Sequence, residues 1–330
     1  MDRRRWPTRA LALVVASLGT LAAARAADVA LSPPLRAMRW IAPATNAAVA
    51  LTRAPHECVR EPKTPNEALL VEVGRATFRT PVVLGGQAAR AGLSCDSCHR
   101  NGRGNPDFRF PGVSGAPGTA DVTSSLFSSH RGNGVDDPKP IPDLGGPKAA
   151  LKVSQAPDDP DLERFLHGLI TEEFDGPAPP PVVLKGLAAY VRAMDPALCP
   201  ATSQTLRSRD WMADADRVVA TAATLAAQGD QPGAVVMLQA ARARLGDIDE
   251  RFAAPDLAQL RTRLRDADAR LATLAQDLRA GRPGTRPALA IWRRDARALA
   301  ADLAAHEPRS LFNPARLSQT KNRRLPANPS

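Results

Sequence analysis

Cys95-Asp96-Ser97-Cys98-His99 decides how the rest of the chain is read. Two cysteines at this spacing, followed at once by histidine, form the pattern of a covalent c-type haem attachment site. On a helical turn both thiols reach the two vinyl groups along one porphyrin edge and form thioethers. The adjacent imidazole then falls under the iron as proximal ligand. Competing readings are half of a zinc knuckle, a thioredoxin-like dithiol, and chance. A zinc site needs a second ligand pair close by, and the other cysteines, Cys58 and Cys199, are single and distant. A redox dithiol makes no use of His99. One covalent haem c, held by Cys95, Cys98 and His99, is the expected cofactor.

The start of the chain agrees with export. Arg3, Arg4, Arg5 and Arg9 precede an apolar run over residues 10–24, and Ala24-Arg25-Ala26 offers a small-x-small cleavage site. Residues 1–26 read as a signal peptide, of Sec type because haem c is normally attached after Sec export. The apolar run is short for a membrane span, and no later segment could supply one, so no span is expected in the mature chain. The mature protein is expected in the periplasm, where cysteines can pair.

Composition narrows the partners. The chain has 330 residues, which suggests two domains plus connectors. Aromatics make up 4%, and the formal charge is +10, of which the first 26 residues carry five arginines and one aspartate. Much of the remaining charge lies after Arg316, in Lys321, Arg323 and Arg324. Such charge steers docking to an acidic redox partner protein. Basic residues are not interleaved with aromatics, which argues against nucleic acid.

Residues 27–65, rich in Pro and Ala and without a period, read as an extended N-terminal arm over the surface. Cys58 lies in this arm, and Cys199 follows a helical stretch far downstream. These are the cysteines left once haem has taken its pair, and a disulfide between them is expected; the alternative is two unrelated buried thiols. By loop entropy the closure would stabilise the fold by about 4–5 kcal/mol. Residues 66–80 turn helical, with Asn66 as N-cap, Leu69, Leu70, Val73 and Phe78 at helical spacing, and Pro81 as the stop.

Val71-Glu72-Val73-Gly74-Arg75-Ala76-Thr77-Phe78, then Pro81, Leu84, Gly85 and the run Leu93-Ser94 into the motif, resembles the opening of bacterial dihaem cytochrome c peroxidases and of their relatives that mature quinone cofactors. The likeness covers residues 66–135 and fades toward 200. It implies a cytochrome c fold, with one helix running into the haem site and another closing over it. Two departures matter. The chain has one CxxCH where those peroxidases carry a second haem domain. No histidine lies between Arg100 and Ser129, where their distal histidine would fall.

Residues 100–160 are rich in Pro and Gly and read as loops that wrap the haem edge, with a short helix or turn over residues 121–129. Residues 161–174 form an amphipathic helix with Leu162, Phe165, Leu166, Leu169 and Ile170 on one face. His167 falls about 100° or more off that stripe, toward solvent. Val183, Leu187, Tyr190 and Met194 mark a further helix, ended by Asp195-Pro196. It looks like the C-terminal helix of a cytochrome c domain, which places that domain at residues 66–200. For the sixth ligand, His130 lies in a loop that can deliver it by chain reversal, so His99 and His130 are the expected metal ligands. Met194 continues an apolar face and reads as core, and a five-coordinate haem stays open.

After Pro200 the chain becomes rich in Ala, Leu, Arg and Asp. Residues 214–228 read as one helix, and Pro232 opens another that runs to about Leu245. Leu257, Leu260, Leu264, Ala267, Leu271, Leu274 and Leu278, then Leu289, Trp292, Ala296, Leu299 and Leu303, repeat every three and four residues. Residues 201–307 are therefore expected as a helical bundle or helical-hairpin domain, serving as a docking module or as simple stabilisation. Residues 308–330 read as a flexible basic tail. The expectation is all-α: a cytochrome c-like haem domain followed by a bundle, transferring electrons. The alternatives are a peroxidase-like haem enzyme with an open distal site, or a haem-bearing structural subunit of a redox complex.

Overall fold

The helix over Pro65–Phe78 is buried on two opposite sides, and this determines how the halves of the protein meet. Val73 and Ala76 belong to one apolar core, while Val71 and Phe78 belong to another. The computed structural model describes residues 35–146, 151–157 and 159–322. The expected signal peptide, and Arg323 and Arg324 of the basic tail, lie outside these residues.

In chain order the helices are α1 (Ala47–Thr52), α2 (Pro65–Phe78), α3 (Pro81–Leu84), α4 (Gly86–Ala91), α5 (Cys95–Cys98), α6 (Asp161–Gly168) and α7 (Pro181–Ala193). The second half adds α8 (Ser208–Ala227), α9 (Gln231–Arg251), α10 (Ala258–Arg279), α11 (Thr285–His306) and α12 (Pro314–Asn322). The strands among the described residues form three short antiparallel ribbons. They are β1 (Arg53–Pro55) with β6 (Ser203–Thr205), β2 (His99–Arg100) with β3 (Arg103–Gly104), and β4 (Thr119–Ala120) with β5 (Lys139–Pro140). The chain is all-α in class.

The first core lies under α2 and α7. These helices cross so closely that a Cβ built on Gly74 would collide with the carbonyl oxygen of Gly186. Both glycines are there because no side chain fits between the two backbones. α2 begins earlier than expected: Thr64, not Asn66, is the N-cap, and its side chain accepts from the Glu67 amide at 3.1 Å. Pro65 at the first position is preset for the helix. Val183, Leu187, Tyr190 and Met194 are all buried, as their spacing indicated. Leu162, Leu166 and Ile170 are buried as well, whereas Phe165 is 38% exposed. Phe165 lies at the margin of a two-turn stripe that its neighbours fill. Residues 121–129 form turns around Asp121, which accepts from the Thr123 amide and hydroxyl, rather than a helix.

The second core fills an antiparallel bundle of α8, α9, α10 and α11, and every leucine of the two repeats faces it. Trp292 closes it, donating from Nε1 to the Ala267 carbonyl at 2.9 Å. The helices exceed the spans read from sequence, since α8 starts at Ser208 and α9 reaches Arg251. Glu307 from the far end of α11 accepts from both the amide and the hydroxyl of Ser208, which caps α8.

Two expectations about the ends are corrected. The arm is not extended: a 3-10 turn (Arg36–Trp40) and α1 place Leu35, Trp40, Ala47 and Leu51 in cores. The tail does not begin at 308, because Leu311, Phe312 and Leu317 are buried and α12 packs on α1. The physical reason is shared. Leu35, Leu51, Leu311 and Leu317 cover one another, so each end supplies the apolar surface the other needs.

Cys58 and Cys199 are joined in a disulfide, with Cα atoms 5.3 Å apart and a sequence separation of 141. Beside it, β1 pairs with β6 and the Asp195 amide donates to the Cys58 carbonyl at 2.9 Å. Non-reducing peptide mapping should recover the two as one linked pair. Replacing both by Ser should lower the unfolding free energy by about 3–5 kcal/mol in urea titration. A change below about 1 kcal/mol would show that the reduced chain already holds the arm in place.

Candidate functional site

The motif stands at the wall of the first core, on a turn whose two faces differ in chemistry. Ser94 caps α5, with reciprocal bonds between Ser94 and Ser97 at the helix start. The turn then reverses at Asn101, which takes a left-handed φ of 50°, and at Gly102. The Asp96 carboxylate accepts from the Asn101 amide at 2.8 Å, which stabilises that conformation. Asn105 holds the far side, its Nδ2 donating to the Ser97 carbonyl at 2.9 Å and its amide to the Cys98 carbonyl at 3.0 Å.

Cys95 and Cys98 are free and partly buried, and both pack against the first core. Burial pushes each thiol up to about 12. Thioredoxin-like dithiols need a lowered pKa to attack, so these sulfurs are poor redox nucleophiles. Burial also holds His99 below the usual imidazole range, which favours its neutral form. Its Nδ1 lies 3.0 Å from the Pro142 carbonyl. With Nδ1–H donating there, Nε2 keeps the lone pair a metal needs.

The core beside these sulfurs is a cradle of loops and helix faces. Phe110 lies 5.3 Å from Phe127, and Phe127 lies 5.5 Å from Phe174, in ring-centroid distances. Phe110, Val122, Ile141, Leu144, Val153 and Leu169 are only partly buried, and they pack on the core with the two cysteines. The Pro- and Gly-rich stretch packs these side chains against the core beside the motif. Among the described residues no cluster of three or more His, Cys, Asp and Glu could hold a metal ion. A haem iron makes no such demand, because the porphyrin supplies its equatorial donors and the protein adds one proximal ligand. Two sulfurs, a neutral imidazole and an apolar cradle fit that group.

The other candidates are placed as follows. His167 is exposed, as its position off the stripe required. Met194 is core: a Cβ on Gly102 would meet its sulfur at 2.5 Å, so the thioether packs on the turn beyond His99. His130 is 64% exposed in its side chain, and its Nε2 lies 3.9 Å from Asp175. Ser128 fixes that loop, donating to the Glu172 carbonyl at 2.5 Å and accepting from the His130 and Arg131 amides.

Sequence reasoning missed the polar face of the turn. Arg79, at the end of α2, donates to Asn101 Oδ1 at 3.0 Å and to Glu57 Oε1 at 2.8 Å. Tyr190 donates to the same Glu57 oxygen at 2.5 Å, and Asp214 of α8 lies 3.6 Å from Arg79. Phe78 joins the two faces, its ring 5.3 Å from Tyr190 and 6.5 Å from His99. The one hint in the sequence is that Tyr190 is the single tyrosine of the chain. Burial opposes ionisation of Glu57, but Arg79, Arg75 and the Tyr190 hydroxyl outweigh it and hold the carboxyl below its ordinary value.

A group whose folded pKa is depressed stabilises the fold above its unfolded value and loses that contribution as pH falls. Glu57 should therefore add to acid lability below about pH 4.5, its ordinary value. Glu57→Gln should cost about 3 kcal/mol at neutral pH, because Arg79 and Arg75 lose their counter-charge. It should also flatten the fall of stability between pH 5 and 3, read from urea midpoints against pH. An unchanged acid slope would mean Glu57 is not ionised in the fold.

No protein-family model, curated protein or solved structure matches the chain.

Proposed function

We propose that the protein is an exported, periplasmic c-type cytochrome that carries one covalent haem and transfers electrons to a redox partner protein. The observation that carries this reading is the turn itself. Cys95 and Cys98 lie on one face against an apolar cradle, and the neutral His99 beside them keeps one ring nitrogen engaged with Pro142. Cys95 and Cys98 would hold the porphyrin edge through thioethers, and His99 would be the proximal ligand. When bound, the haem supplies one-electron chemistry. The chain's own part is to orient His99 through Pro142, to exclude water with Phe110, Phe127 and Phe174, and to keep Met194 packed on Gly102. The bundle serves as a docking module or as a brace for the haem domain. The likeness to the opening of dihaem peroxidases supports the same fold.

His130 is the candidate second axial donor. A second reading, a peroxidase-like haem enzyme with an open distal site, is favoured by one observation: the His130 ring is largely exposed against Asp175.

Expression in a host that matures cytochromes c tests the main reading. The denatured protein should keep its haem through acidified-solvent extraction and gain one haem mass. Cys95→Ala or Cys98→Ala should cripple that attachment. Haem extracted freely from the intact protein would defeat the proposal.

The ligand question is read from the ferric spectrum. His130→Ala should turn a low-spin spectrum high-spin and admit cyanide. An unchanged low-spin spectrum would exclude His130 as ligand, and a parent already high-spin would favour the open distal site.

A further inference from the structure

On the polar side of the attachment turn, a cavity of about 330 Å³ opens between the arm, the segment over residues 94–101, and helices α8 and α9. Asp96, Ser97, Arg100 and Asn101 line it, whereas Cys95, Cys98 and His99 do not. Much of its charged lining is neutralised in place. Glu57 pairs with Arg75 and Arg79, Asp214 with Arg217 and Arg244, and Asp247 with Arg244 and Arg36, while Asp96 lies 4.0 Å from Arg79, Asp210 3.5 Å from Arg209, and Asp107 accepts from the Thr45 hydroxyl at 3.1 Å.

Two lining arginines differ from these. Arg251 is 5% exposed, and it donates to the carbonyls of Leu51 at 2.7 Å and Leu311 at 3.2 Å. Its guanidinium stacks over Trp211 at 4.7 Å and Phe312 at 4.6 Å. Arg100 donates to the carbonyl of Arg53. Among the described residues neither guanidinium has a carboxylate at ion-pair distance. Asp96 and Asp107 act on Arg100, and Asp247 and Glu250 on Arg251, only from further away. Burial pulls Arg251 down to about 10.

Carbonyl and ring contacts satisfy the shape of these groups without cancelling their charge; Arg100 is partly buried, and for the buried Arg251 a cation out of water without a counter-ion is a standing cost. We propose that this cavity binds a small oxyanion, a phosphate- or carboxylate-bearing molecule, between Arg100 and Arg251. The guanidinium fork is the protein group best matched to such oxygens, since it offers paired donors and a fixed charge. Ser94 and Ser97 stand on the same wall as neutral hydroxyl donors. The volume limits the occupant to a small molecule rather than a peptide or a nucleotide chain. The inference does not depend on what the cysteines carry.

Isothermal titration calorimetry of the full protein with sodium phosphate, sodium sulfate and sodium acetate, at constant ionic strength in chloride, tests it. One saturable site is expected, weakened about tenfold or more by Arg100→Gln and by Arg251→Lys, which keeps a charge but loses the fork. Arg286→Gln, on the exposed face of the bundle, should leave it unchanged. Tighter phosphate and sulfate would assign a tetrahedral oxyanion, and tighter acetate a carboxylate. Arg100 gives up only one carbonyl contact, so Arg100→Gln decides the matter if Arg251→Lys fails to fold. No saturable heat with any of the three at concentrations on the order of 10 mM, or undiminished affinity in Arg100→Gln, would overturn the proposal.

Discussion

Glu57 comes from the N-terminal arm, Arg79 from the end of α2, Tyr190 from α7 and Asp214 from the bundle, and they meet in one buried cluster. Arg79 is the centre of the group, touching Glu57 and Asn101 by hydrogen bonds and Asp214 by charge. A buried charge left without its partner costs about 3–5 kcal/mol. Each segment is therefore held where its charge is answered, and the turn that carries His99 is held with them through Asn101. The apolar cores supply most of the folding energy, but this cluster selects one arrangement of the arm, the turn and the bundle.

The two-sided burial of α2 follows from the same demand. Its Val73 face closes the bundle core and its Phe78 face closes the core beside the motif. The contact with α7 at Gly74 and Gly186 leaves no room for adjustment between the two backbones. A rotation of α2 by one residue would uncover both cores at once. The halves of the molecule thus share a structural element rather than merely a linker, and the disulfide with its β1–β6 ribbon closes the far side of the junction.

Part of this architecture is legible in the amino-acid sequence, and the range of each interaction decides which part. The bundle leucines repeat along single helices, so their burial follows from local period alone. The Cys58–Cys199 pairing follows from counting the cysteines that the motif leaves over. The packing of the arm and tail is not legible, because Leu35, Leu51, Leu311 and Leu317 carry no local period and their partner surfaces lie more than 200 residues away in the chain. Glu57 and Arg79 likewise look like ordinary surface charges in sequence, and only the fold brings them under Tyr190. His130 lies in a loop fixed by Ser128 and Asp175, and no spacing rule reports where such a ring points.

Burial of Cys95 and Cys98 also governs when their sulfurs can react. Burial pushes both thiols up to about 12, which keeps the reactive thiolate scarce at neutral pH. Thiol–disulfide exchange needs that thiolate, so the folded chain isolates the Cys58–Cys199 bridge from the two cysteines that could reshuffle it. The isolation acts in both directions, since a sulfur that cannot attack a disulfide is equally slow toward any other electrophile. Folding thereby slows exchange between the Cys58–Cys199 bridge and the two free sulfurs.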